Sequence, residues 1–295
     1  MHFVRTIDPW ALTGIAVIAT LATWLGGCSN PALTMANSLA RFDDYSRVAD
    51  QPYGTHELNR LDVYLPAEAI RGTVVFFYGG CWGACTTYTR EHYRFVAQAL
   101  TSTGYAVVIP DYRRYPQVGF TGMMEDSAAA VAWVSDNIAR LGGRPDRLIL
   151  MGHSAGGHLA AMLTVNERYL GTALHGNIRG FIGLAAPYDF VFDKPYLPKV
   201  FAGLAYTESQ PSHFVDGNEP PLLLLYGDED RQVYRRNIDN MTAIVRDKGG
   251  QVEAVIYNGI DHVSILAALS IPYRKHYPVM DDIAAFLRRV LAEPA

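Results

Sequence analysis

Residues 152–156 read Gly-His-Ser-Ala-Gly, the spacing G-x-S-x-G. That pattern puts a serine on a sharp strand-to-helix turn with its hydroxyl presented outward. A serine hydroxyl is a weak nucleophile until a base takes its proton, and the base needs an acid to orient it. With a serine on such a turn, the acid and then the histidine follow in chain order. Histidines downstream of Ser154 stand at positions 158, 175, 213, 262 and 276. His158 lies one helical turn past the serine and is expected to face neighbouring structure. His175 and His213 come before the best acid candidates. Those are Asp228, Glu229 and Asp230, directly after the apolar run PLLLLYG. His262 follows the run VEAVIY by a short loop, Asn-Gly-Ile-Asp, whereas His276 sits among Tyr273, Arg274, Lys275 and Tyr277 and reads as surface. Ser154, an acid of 228–230 and His262 are therefore the constellation for nucleophilic attack on a carbonyl.

Such an attack puts negative charge on the former carbonyl oxygen, and fixed N–H groups must meet it. The amide after the nucleophile, that of Ala155, is one candidate. The stretch Tyr78-Gly79-Gly80-Cys81-Trp82 offers others, because its glycines leave backbone amides free to point at a substrate.

These residues need a scaffold that brings them to one edge. Seven short runs, LDVYLP, TVVFFYG, YAVVIPDY, RLILMG, GFIGLAA, PLLLLYG and VEAVIY, read as strands. The middle five are nearly all apolar, as in strands covered on both faces. Met124, Ala128, Val131, Val134, Ile138 and Leu141 recur at helical spacing. Further helices are expected from His92 to Leu100, from Ala155 to Asn166, from Ile238 to Val245 and from Val279 to Val290. This alternation predicts an α/β architecture with a mostly parallel sheet, whose ligand site lies beyond the carboxyl ends of the strands. Asp111, Arg113 and Arg114 fall at a strand end and are expected to form ion pairs with Glu125 or Asp126. The rings of Tyr188, Phe190, Phe192, Tyr196, Phe201 and Tyr206 either pack in the core or line an apolar pocket.

The chain has 295 residues, 18% of them charged, with a formal net charge of −4. There is no Lys/Arg block, so nucleic acid has no electrostatic footprint to bind. Ala11 to Leu25 carries no charge and is followed by Gly26-Gly27-Cys28. That run is short for a bilayer span and suits an export leader. Its ending resembles the lipobox of bacterial lipoproteins, which implies cleavage before Cys28, lipid on its thiol and a place in the cell envelope. An uncleaved membrane anchor is the alternative. The expected organisation is a leader over 1–27, a tether over 28–56 and one catalytic domain over 57–295. Cys81 and Cys85 are four residues apart and read either as a disulfide or as two buried thiols. No second pair of Cys or His stands at zinc-ligand spacing.

The segments YGGCW, DYRRYP, GHSAGG, GLAAPYD, GDEDRQV and DHVSIL, in this order, resemble α/β-hydrolases of the esterase/lipase group. The nearest branch includes carboxylesterases, feruloyl-esterase-like proteins, kynurenine formamidases and isoprenylcysteine methylesterases. The resemblance covers about residues 58–292. It implies the α/β-hydrolase fold with a small lid insertion, a triad of Ser154, Asp230 and His262, and oxyanion amides on Gly80, Cys81 and Ala155. It further implies cleavage of small or medium carboxylic esters through an acyl-enzyme, without metal or organic cofactor. The family's histidine ahead of the glycines is Tyr78 here, so the loop must be braced differently. Two rivals remain at this level: an amide hydrolase of formamidase or peptidase type, and a binding protein on a hydrolase scaffold.

Overall fold

The computed structural model describes residues 3–5 and 31–292. Among the described residues nine strands form one sheet: β1 (Phe3–Arg5), β2 (Tyr45–Pro52), β3 (Arg60–Pro66), β4 (Thr73–Phe77), β5 (Ala106–Pro110), β6 (Leu148–His153), β7 (Ile178–Leu184), β8 (Leu222–Gly227) and β9 (Val252–Tyr257), in the order β1-β9-β8-β7-β6-β4-β5-β3-β2. β3 runs antiparallel to β2 and to β5, and every other pairing is parallel. The helices are α1 (Pro31–Leu39), α2 (Arg94–Thr101), α3 (Phe120–Asn137), α4 (Ser154–Val165), α5 (Gly171–His175), α6 (Leu197–Val200), α7 (Arg236–Asp247), α8 (Ser264–Ala267) and α9 (Val279–Val290).

The apolar runs explain the sheet. β4, β5, β6 and β8 are buried along their whole length, which requires helices over both faces. α4 is buried from Ala155 to Val165, so it forms part of the core instead of showing a polar face to water. α9 is the opposite kind of helix: Asp281 and Asp282 open it, Arg288 and Arg289 close it, and each pair opposes the charge of its helix end. Register then places the site. Phe77 pairs with Gly152, Gly152 with Gly183, and Gly227 with Tyr257. The loops that follow β4, β6, β7, β8 and β9 therefore leave from one edge of the sheet.

Two expectations change. The tether expected over 28–56 gives way to structure by residue 31, because α1 and β2 occupy most of that stretch. β2 is an outer strand with mixed burial, so it carries none of the apolar alternation that would mark it in sequence. Side-chain partners hold it: Tyr45 packs on Tyr64 with ring centroids 5.6 Å apart, and Arg47 pairs with Asp62 at 2.5 Å. The helix expected from His92 begins as a 3-10 turn over Arg90–Tyr93 and becomes α-helical at Arg94. The expected leader and lipid attachment at Cys28 fall, apart from Phe3–Arg5, outside the described residues. Among the described residues no helix is long and apolar enough to cross a membrane.

Candidate active site

Ser154 stands at the junction of β6 and α4 with φ at +54°. A non-glycine residue in this region carries backbone strain of order 1–3 kcal/mol, which surrounding structure must impose. The glycines on either side allow that structure to close in. A Cβ on Gly156 would lie 2.2 Å from the Phe77 carbonyl oxygen, and one on Gly152 would lie 2.5 Å from the Gly156 carbonyl oxygen. Both obstacles are backbone, so no side chain can stand at either position without moving β4 or the turn itself.

His262 arrives on the loop after β9, and its Nε2 is 2.9 Å from Ser154 Oγ. Its Nδ1 is 2.7 Å from Oδ2 of Asp230, on the loop after β8. Oδ1 of that carboxylate accepts the backbone N–H groups of Gln232 at 2.8 Å and Val233 at 2.9 Å. Asp230 is fully engaged and buried, so His262 Nδ1 is the donor and its Nε2 faces Ser154 as an acceptor. Asp228 points elsewhere and accepts the Gly259 N–H at 2.7 Å, bracing the loop that carries His262. His276 is exposed, as expected of a surface residue.

Two further histidines organise the site. His153 donates from Nε2 to the His262 carbonyl oxygen at 2.8 Å, and the two rings are 4.8 Å apart. His158 accepts the Trp82 indole N–H at Nδ1, 3.2 Å away, and donates from Nε2 to the Ser209 carbonyl oxygen at 2.7 Å. It thus pins α4, the loop after β4 and the segment after β7 together, which is the neighbouring structure expected of it. Burial pushes the pKa of His153 down to about 3 and that of His158 down to about 4. Both are neutral in the folded protein, whereas in the unfolded chain they titrate near the ordinary histidine value of about 6.5. As pH falls below that value the unfolded state binds protons that the folded state refuses. Stability is therefore lost with acidification, by about 1.4 kcal/mol per pH unit for each histidine. Urea unfolding at intervals from pH 7 to pH 5 should show this decline, and a flat profile would contradict the buried neutral state.

The loop after β4 is held from several sides. Gly80, Cys81 and Trp82 all have positive φ, at 133°, 52° and 55°. Cys81 and Cys85 are joined by a disulfide, which decides between the two readings of that pair. Inside the ring the Cys81 carbonyl accepts the Ala84 N–H at 3.0 Å. Tyr78 supplies the brace in place of a histidine. Its hydroxyl donates to Asp111 Oδ1 at 2.6 Å, and its ring stacks between Tyr93 and Tyr112. Tyr112 in turn donates its hydroxyl to the Tyr78 carbonyl at 2.7 Å.

The ion pairs depart in part from expectation. Arg113 does pair with Asp126, at 2.7 Å, and lies 3.6 Å from Glu125. Asp111 instead binds Arg90, whose backbone N–H reaches Oδ1 at 2.7 Å and whose guanidinium contacts Oδ2. Arg114 donates to the Tyr88 carbonyl. Asp111 turns inward because Tyr78 and Arg90 lie on its buried side, and neither partner is near it in sequence.

Two cavities meet at Ser154. The smaller, about 60 Å³, is walled by Trp82, Phe190, Tyr196 and Leu197. The larger, about 260 Å³, runs past His262 between the loop after β4, α1 and α8. The aromatic residues after β7 divide between the two roles except Tyr206, which is exposed and donates its hydroxyl to the Phe190 carbonyl at 2.7 Å. Tyr188 and Phe201 are buried, and Phe201 stacks on Phe192 and meets Trp82 edge-on, whereas Phe190 and Tyr196 also face the smaller cavity. The contributions of His153, Trp82 and α1 were not foreseen from the sequence. The tryptophan two positions after the glycine pair is the one local signal that could have pointed to them.

The chain is similar to known esterases in sequence and in fold. The BD-FAE family model matches residues 61–190. The isoprenylcysteine alpha-carbonyl methylesterase ICME of Arabidopsis thaliana is 26% identical over 240 residues, covering 72% of this chain and 56% of that protein. Esterase LipQ of Mycobacterium tuberculosis is 26% identical over 229 residues, covering 69% of this chain and 54% of that protein. The chain spans about half the length of the curated relatives it matches. Among solved structures, esterase B from Lactobacillus rhamnosis superposes with a TM-score of 0.73 at 19% identity, over 94% of this chain and 95% of that one, and so shares the fold. With the serine turn, the strand order and these matches in agreement, the chain has the α/β-hydrolase fold and is similar to proteins of the esterase/lipase group.

Proposed function

We propose that the protein is a serine hydrolase of small or medium carboxylic esters. Ser154 Oγ attacks the ester carbonyl while His262 Nε2 takes its proton, and Asp230 steadies the imidazolium that forms. The amides of Gly80, Cys81 and Ala155 receive the developing oxyanion. Collapse of the tetrahedral intermediate breaks the bond to the alcohol oxygen, which leaves with the proton held by His262. A water, deprotonated in turn by His262, then releases the acid from the acyl-enzyme. The observation that carries this reading is the contact chain from Ser154 through His262 to Asp230, at 2.9 and 2.7 Å.

The test is hydrolysis of p-nitrophenyl acetate, with an N-formyl arylamine in parallel, and labelling by a fluorophosphonate. Ester turnover with the label on the Ser154 peptide supports the reading. Formamide turnover far above ester turnover would move it to the amidase branch, and a folded protein inert to all three would sink it.

Because the disulfide closes a ring that begins at Cys81, it constrains the Cys81 oxyanion amide. Reduction with dithiothreitol is expected to lower kcat by up to about 10²-fold, near the worth of one oxyanion donor. Turnover before and after reduction, with thiols counted in parallel, checks this. We also carry forward lipid attachment at Cys28, supported by the apolar run and the Gly-Gly-Cys that ends it. Mass spectrometry of the N-terminal peptide from membranes tests it, since cleavage would remove Phe3–Arg5 along with its pairing to β9.

A further inference from the structure

The two cavities at Ser154 differ in size, in wall chemistry and in their relation to His262. Only the larger is lined by His262, and the residues that follow it, Val263, Leu266 and Ala267, continue the same wall. An alcohol oxygen leaving the tetrahedral intermediate must take its proton from His262 Nε2, so the alcohol portion lies on the histidine side. The acyl portion stays bonded to Ser154 and must lie on the other side, where the smaller cavity is.

That smaller cavity has about 60 Å³ against about 260 Å³ for the larger. Its walls cannot readily yield. Trp82 is fixed by His158 and stacks on Phe190 with ring centroids 5.6 Å apart. On its outer side the Tyr234 hydroxyl donates to Asp193 at 2.9 Å, and Lys194 pairs with the same carboxylate at 3.5 Å. The larger cavity has no Asp, Glu, Lys or Arg among its lining residues. It is walled by Tyr88, Tyr93, Phe95 and Tyr273, with Leu33 and Ala36 of α1 closing its far side.

We propose, resting on the esterase reading above, that the substrates are esters of a short acid with a large, uncharged, apolar or aromatic alcohol. The acid is of acetyl size, and the bulk of the molecule lies on the alcohol side. This arrangement excludes esters whose bulk is in the acid.

Isomeric esters test the allocation with the intrinsic reactivity of the ester held nearly constant. Phenethyl acetate and ethyl phenylacetate have one composition with the ring on opposite sides of the ester, as octyl acetate and ethyl octanoate have with their chains. The expected result is kcat/KM higher for each acetate by at least about tenfold, the range that pocket fit supplies. Two variants should shrink that ratio from opposite sides: Phe190→Ala by opening the acyl cavity to the phenylacetyl group, and Ala36→Trp by filling the alcohol cavity. Level or reversed preference in the unmodified protein, or a ratio that neither variant moves, overturns the allocation, provided p-nitrophenyl acetate is still turned over. Silence on p-nitrophenyl acetate as well would remove the esterase reading and this allocation with it.

Discussion

Replacement of Ser154 by alanine is expected to lower kcat by about 10⁵–10⁶-fold, as loss of a triad nucleophile does in other serine hydrolases. The protein should remain folded. Alanine keeps the Cβ that the turn already accommodates at φ +54°, and the lost hydroxyl has His262 Nε2 as its partner, at 2.9 Å. Thermal unfolding of the variant should match that of the parent within a few degrees, which separates a chemical loss from a structural one. The residual rate should resist a fluorophosphonate. A variant that kept a tenth of the parent activity would show that another group attacks the ester.

Asp230→Asn should cost about 10⁴-fold in kcat, with little change in KM. The reason lies in what each oxygen of Asp230 does. One accepts the Gln232 and Val233 amides, and the other accepts the His262 Nδ1 proton. Asparagine has a single acceptor oxygen. If that oxygen stays with the two backbone amides, the NH₂ group turns to His262 Nδ1, which must then give up its proton and accept. The ring's proton moves to Nε2 and points at Ser154 Oγ, where it cannot serve as a base. Asp228→Asn is the matched comparison. Its carboxylate meets the Gly259 amide and not the histidine, so the expected loss is less than about tenfold. Equal losses in the two variants would place the acid elsewhere on this loop.

Much of this was legible in the sequence because the site is built at strand ends, and strands buried on both faces advertise themselves. PLLLLYG and VEAVIY end where Asp230 and His262 begin to matter, so chain order narrowed the acid to a three-residue loop and the base to two histidines, of which His262 stands nearer a strand end. The choice of Asp230 over Asp228 needed either the family resemblance or the side-chain geometry, since both stand on the same turn. What stayed hidden were contacts between residues far apart in the chain. Arg90 reaches Asp111 across 21 positions, and Trp82 reaches His158 across 76. Periodicity carries no trace of either, because each is a single contact between distant positions and follows no repeat along the chain. α1 and β2 were hidden for another reason: they lie at the margin of the fold, where mixed burial leaves a sequence pattern like that of a linker.

The two cavities draw on separate stretches of chain. The smaller takes most of its wall from 187–197 and 232–237, the larger from 33–36, 79–95 and 262–273, and they share Cys81, Ser154 and Gln232. On the allocation proposed above, selection for the acid and selection for the alcohol are close to independent traits. If that allocation holds, the segment after β7 could drift, lengthen or be exchanged with that of a relative, and reset which acids are accepted without disturbing what the alcohol meets. Recombination within the family has modules to work with, and so does an engineer.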